Sequence, residues 1–213
     1  MNAVEQIAQA FPMRIVAVDF ETTGLVPAYD SPTSLDAVVF EDGEPTGEVF
    51  SRKLIPSLNS KFSLKSIAVQ AGEDCFSVDK LAESLLKVFP PDAISARQAM
   101  IELAEWVNET GVTFTPVVAQ RAYFDWGFYG QWLASNTTAY KRGLSPVWIC
   151  TKTMARLLDP KSKDMGLSAL AAVYGIEMDR TAGHDSQIDA LVCGKVYYRL
   201  RQDLLEKAEA AQI

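Results

Sequence analysis

The chain has 213 residues, enough for one large domain or two small ones. Its 48% hydrophobic content supports a sizeable core and is too high for a disordered chain. The formal charge of −7, from 20 Lys+Arg against 27 Asp+Glu, argues against a protein that coats nucleic acid by bulk electrostatics.

Residues 1–12 read as a short leader helix or a loose arm, with residues 13–213 as a single domain. The N-terminus lacks the charged and apolar regions of a signal peptide, and no run reaches the length of a membrane span. The expectation is a soluble, cytoplasmic protein with no membrane contact. Cys75, Cys150 and Cys193 are odd in number and far apart, so reduced thiols are expected rather than a disulfide framework or a zinc site.

The first strand is predicted over Arg14–Phe20. Its consecutive apolar residues Ile15–Val18 imply burial on both faces. Leu35–Glu41 and Glu48–Ile55 follow as strands, with the turn pair Asp42-Gly43 between them suggesting a hairpin. Residues 56–76 show no clear pattern. Val78–Phe89 has helical spacing and stops at Pro90-Pro91. Ser95 is placed to cap the next helix, which carries Met100, Leu103, Ala104 and Val107 on one face and ends before Gly111. Pro116–Gln120 reads as a strand and Tyr123–Leu133 as an aromatic-rich helix. Val147–Cys150 is a short strand, and helices follow over Thr151–Leu158, Leu167–Tyr174 and Ser186–Glu206. This order favours an α/β sheet with helices on both faces.

The chemistry begins where the first strand ends. Asp19 and Glu21 stand at i and i+2, so in a strand they project to the same side. Two carboxylates there repel each other and are costly to desolvate, and a divalent cation between them is the simplest remedy. Thr22-Thr23-Gly24 follows as a turn whose backbone can approach a ligand closely; an ordinary strand-ending turn is the alternative. Asp125 lies among Tyr123, Phe124, Trp126, Phe128 and Tyr129, where an acid needs a partner or must protonate. The alternative for Asp125 is an acid at a helix N-terminus, favoured by the dipole. His184 is the sole histidine, standing before two candidate cap residues, Asp185 and Ser186, with Asp189 in the turn beyond. On one continuous helix His184 and Asp189 would point about 140° apart. They converge only if His184 stands on the loop before the helix. There the acid could hold an ion while the neutral imidazole takes a proton from water.

Taken in order, Asp19-Phe20-Glu21-Thr22-Thr23-Gly24, Phe124-Asp125 and His184-Asp185-Ser186-x-x-Asp189-Ala190 resemble the three motifs of the DEDDh group of 3′–5′ exonucleases. That group belongs to the ribonuclease H-like superfamily and includes polymerase proofreading subunits, RNase T and oligoribonuclease. The resemblance covers roughly residues 14–200. It takes in Leu167-Ser168-Ala169-Leu170 and Tyr174-Gly175-Ile176 ahead of the third motif. It implies a ribonuclease H-like α/β fold, a five-stranded mixed sheet with helices on both faces. It implies that Asp19, Glu21, Asp125 and Asp189 hold two Mg²⁺ or Mn²⁺ ions, with His184 as general base. The implied reaction is metal-dependent 3′–5′ hydrolysis of phosphodiester bonds at the 3′ end of DNA or RNA, releasing 5′ mononucleotides. The alternative is a nucleic-acid-binding or assembly module with an inactive site. Single-stranded or 3′-end nucleic acid is the implied partner, with a polymerase or a second copy of the chain as candidate protein partners.

Thr22, Thr23 and Gly24 would contact the terminal nucleotide. Phe20 is a candidate for stacking on a base, although strand alternation points it away from the two acids. The second motif departs from many relatives, where His-Asn precedes Phe-Asp: Gln120 and Arg121 stand at that place. Arg121 could contact a phosphate near the scissile bond or pair with a carboxylate.

Overall fold

The structure is a computed structural model that describes residues 1–61, 63–72, 78–135, 143–179 and 184–211. Cys75, a glycosylation-type sequon at Asn136, the basic pair Lys141-Arg142 and Gly183 lie outside the described residues.

In chain order the elements are α1 (Ala3–Ala10), β1 (Arg14–Thr22), β2 (Pro32–Glu41), β3 (Glu44–Ile55), α2 (Leu64–Ala71), α3 (Val78–Val88) and β4 (Ile94–Ser95). They continue as α4 (Ala96–Glu109), β5 (Val117–Ala119), α5 (Ala122–Ser135), β6 (Trp148–Cys150), α6 (Thr151–Leu158), α7 (Leu167–Val173) and α8 (Ser186–Ala210). The strands form one mixed sheet in the order β4-β3-β2-β1-β5-β6. β1 lies inside it, antiparallel to β2 and parallel to β5. Its core residues Ile15, Val16, Ala17 and Val18 are fully buried, as an apolar run in a two-sided strand requires.

The sheet has six strands, not the expected five. The sixth, Ile94–Ser95, pairs in parallel with Leu54 and Ile55 at the β3 edge. Two residues carry no periodicity, so only the pairing reveals them. The patternless stretch contains α2, capped by Ser63, whose side chain accepts from the Ser66 N–H, and closed by Gly72 at φ +74°. Its inward residues include Ala68 and Ala71, too small to register as a hydrophobic stripe.

Strand alternation splits the core into two layers. Ile15 and Ala17 of β1 face Met154 of α6, Leu170 of α7 and Val196 of α8. Val16, Val18 and Phe20 face Met100 and Leu103 of α4 and Trp132 of α5. Asp42 (φ +53°) and Gly43 (φ +98°) form the left-handed turn of the β2–β3 hairpin. Phe11–Met13 are tied to α8, where Arg201 donates to the Phe11 carbonyl (2.6 Å) and the Tyr197 hydroxyl to that of Pro12 (2.8 Å). Among the described residues no helix is long and apolar enough to cross a membrane. Cys150 and Cys193 carry free thiols.

Candidate active site

By the alternation that places Ile15 and Ala17 toward α8, Asp19 and Glu21 project from the end of β1 on that same face. Asp125 arrives from the first turn of α5, just past the end of the neighbouring strand β5. Asp189 comes from the first turns of α8.

The start of α8 is heavily fixed. Asp185 is its cap, accepting from Gln187 N (2.9 Å) and Ile188 N (3.1 Å). Ser186 is fully buried, its hydroxyl donating to Asp36 and lying 2.6 Å from the Ser34 hydroxyl. Asp36 is itself buried and stands directly opposite Asp19 in the β1–β2 pairing. His184 precedes the cap, off the helix, and this is what lets it converge with Asp189. Its Nδ1 lies 3.5 Å from Asp189 Oδ2 and 3.9 Å from Glu21 Oε1. The imidazole is about half exposed (47%), whereas Asp189 (7%) and Glu21 (14%) are largely enclosed.

Asp19, Glu21, Asp125, His184 and Asp189 line one cleft of about 380 Å³. Phe20 and Arg121 line it too; Thr22, Thr23 and Gly24 do not. The Phe20 ring is buried edge-on against Trp132, and its backbone hydrogen-bonds the Asp125 carboxylate. Thr22 spends its hydroxyl on the Gly24 carbonyl (2.5 Å), and Thr23 accepts from Ser31 N (3.0 Å). At Gly24 a Cβ would overlap the Asp30 carboxylate, which accepts from Val26 N (2.8 Å), so a side chain there would displace that carboxylate. Gln120 is a strut. Its amide donates to the Met165 carbonyl (2.6 Å) and accepts from the Thr151 hydroxyl. Arg121 is exposed at the N-terminal end of α5.

The electrostatics match the crowding. Burial pushes the Asp19 carboxyl well above the usual carboxylate range, and the charges of Asp125, Glu21, Asp189 and Asp36 push it further. Burial likewise raises Asp125 to about 7, opposed by hydrogen bonds from its own backbone and that of Phe20, with Glu21 raising it and Arg121 lowering it. A donor set of hard oxygens that cannot all ionise unaided fits a divalent cation. Glu21, His184 and Asp189 also offer ligand atoms that all lie within 4.8 Å of one another.

No family model matches the chain. Over 195 residues it is 28% identical to the PolC-type DNA polymerase III of Staphylococcus haemolyticus (strain JCSC1435), a match that takes in 90% of this chain and 12% of that polymerase. The chain therefore corresponds to a small segment of that much longer relative. In fold it is similar to the nuclease domain of 3′hExo, a DEDDh family member solved with rAMP. That match has a TM-score of 0.62 and 13% identity, and covers 94% of this chain and 92% of that one. The chain therefore shares the fold of that nuclease domain. Escherichia coli exonuclease I, solved with a dA16 oligonucleotide, is similar at a TM-score of 0.62 and 14% identity, over 92% of this chain and 43% of that one.

Several residues of this cleft escape a motif-based reading. Leu25 lines it and is 73% exposed. An unpaired apolar residue directly after Thr22-Thr23-Gly24 was the available signal. Asp36, which accepts from the Ser186 hydroxyl, and Gln70, which donates to the Thr22 carbonyl, support the cleft from behind, and nothing local in the sequence distinguishes these two from ordinary polar residues.

Proposed function

We propose that the chain is a metal-dependent 3′–5′ exonuclease that cuts phosphodiester bonds at the 3′ end of DNA or RNA and releases 5′ mononucleotides. The observation that carries this reading is the convergence of four acids, from three distant segments, with the sole histidine in one cleft. Asp19, Glu21, Asp125 and Asp189 would hold two Mg²⁺ or Mn²⁺ ions. Bound there, such ions neutralise charge on the phosphate and activate water. His184 accepts the proton of the attacking water as its oxygen bonds to phosphorus. The bond to the 3′ oxygen of the preceding nucleotide breaks, and that oxygen takes a proton from solvent while the imidazolium returns its own, so one water is consumed per bond cut. Asp189, 3.5 Å from Nδ1, orients the imidazole and stabilises its protonated form.

Leu25, exposed in the cleft, is placed to touch the terminal base. The Thr22–Gly24 turn would shape the floor through its backbone, and Phe20 contributes its N–H rather than its ring. Arg121 is available to a phosphate while also favouring ionised Asp125. The solved neighbours hold rAMP and dA16, which supports a nucleotide chain, RNA or DNA, as the substrate class. The likeness to a polymerase segment supports a DNA polymerase as partner.

The test is digestion of 5′-labelled single-stranded DNA, duplex DNA and RNA with Mg²⁺, Mn²⁺ or EDTA. Stepwise shortening from the 3′ end that EDTA stops and added metal restores is expected. Binding without shortening under every metal condition would instead favour a binding module.

A further inference from the structure

Helix α2 lies outside the cleft, yet it is bonded to two segments that carry cleft residues, the end of β1 and His184. At its start the Ser63 N–H donates to the Thr23 carbonyl (2.7 Å). At its end the Gln70 side chain donates through Nε2 to the Thr22 carbonyl (2.8 Å) and accepts at Oε1 from the Thr33 hydroxyl (2.7 Å). One residue earlier, the Val69 carbonyl accepts from the His184 N–H (3.3 Å). The same helical turn therefore grips the end of β1 with a side chain and the histidine loop with a backbone group.

We propose that Gln70 is a positioning residue that acts through His184, fixing the last turn of α2 so that the imidazole stays aligned with Asp189. The inference rests on the exonuclease reading for its kinetic consequence but not for its structural one. His184 stands before the α8 cap, and its backbone N–H is held from outside α8, by the Val69 carbonyl. Gln70 suits this role because an amide donates and accepts at once. Thr33 is buried, and its hydroxyl holds the Gln70 oxygen and so leaves the amide nitrogen aimed at Thr22. Packing of Ile67 and Ala71 against Val88 holds the body of α2, so loss of the amide frees the final turn rather than unfolding the helix. Misplacing a reacting group by about 1 Å can cost on the order of 100-fold in rate.

The test uses Gln70→Ala and Thr33→Val, each alone and each combined with His184→Ala. On a single-stranded oligonucleotide with Mg²⁺, Gln70→Ala is expected to lower kcat by about 10- to 100-fold while KM changes less. Thr33→Val gives a smaller loss of the same kind. In the His184→Ala background both changes lose their effect, because the residue they act through is gone. Equal losses with and without His184, or an undiminished kcat, overturn the proposal. A second readout is independent of activity. With one histidine in the chain, its imidazole NMR signals are unambiguous, and both variants are expected to shift or broaden them. Unchanged imidazole signals in Gln70→Ala, or in Thr33→Val should the former not fold, overturn the proposal. An inactive wild type whose imidazole signals respond to both changes would sink the exonuclease reading and leave the positioning role standing.

Discussion

Asp125 concentrates the cost of the site in one side chain. It is 3% exposed, and its carboxyl titrates near 7 against about 3.9 for an unfolded Asp. Below about pH 3.9 the proton is bound in both states. Between there and about 7 the native protein keeps a proton that the unfolded chain has lost, so stability falls as pH rises. Asp19 and Asp36, also raised mainly by burial, act in the same direction. The metal-free protein should therefore have a lower Tm at pH 8 than at pH 5, and Asp125→Asn should flatten this dependence; thermal melts in EDTA across that range check it. In activity, Asp19→Ala should nearly abolish turnover, and His184→Ala should cost roughly 10²- to 10⁴-fold. Wild-type rates in either variant, measured on a labelled oligonucleotide, would refute the assigned roles.

The arrangement of elements explains how such distant residues meet. α8 crosses β1 and β2 with its N-terminal end at the cleft, and its 25 residues make it the longest helix described. Its close approach depends on Gly194, where a Cβ would overlap the ring of fully buried Phe40 on β2. Gly194→Ala should therefore destabilise the protein despite the better helix propensity of alanine, by about 1–3 kcal/mol as overpacking outweighs propensity. Denaturant unfolding measures this, and a gain in stability would show that α8 can lift from β2 without cost. At the N-terminal end of the helix, the Asp185 cap and the Ser186–Asp36 bond lock the turn that carries Asp189.

For the whole molecule, crowding four acids into one cleft opposes folding, and a cation held among them would offset that cost. A ligand that binds the native state alone stabilises it by RT ln(1 + [L]/Kd). At about 100 times Kd, Mg²⁺ or Mn²⁺ should raise Tm by roughly 5–10 °C for a chain of this size. The increment should vanish in Asp19→Ala, and calorimetry with and without the cation tests it. A net charge of −7 argues against holding nucleic acid by general attraction, so under the proposed function binding would rest on local contacts at a chain end.

Within the sequence itself, the elements with strong periodicity were legible: the buried run of β1, the capped α4 and the left-handed turn at Asp42-Gly43. So was the likeness to the DEDDh motifs, because side-chain chemistry at a strand end or helix start needs particular residues in particular spacing. The two-residue β4 and the alanine-faced α2 were not legible, since neither carries a pattern of its own. Nor were the exposed Leu25, the strut Gln120, or the supports Asp36 and Gln70. Those roles arise from pairings across the fold, such as Asp36 to Ser186 and Gln70 to Thr22, and a partner 48 or 150 residues away leaves no trace in local sequence. The turn residues show the same division: the Thr22-Thr23-Gly24 sequence marks a turn, but only the packed structure shows that Gly24 lies against the Asp30 carboxylate and is not in the left-handed region.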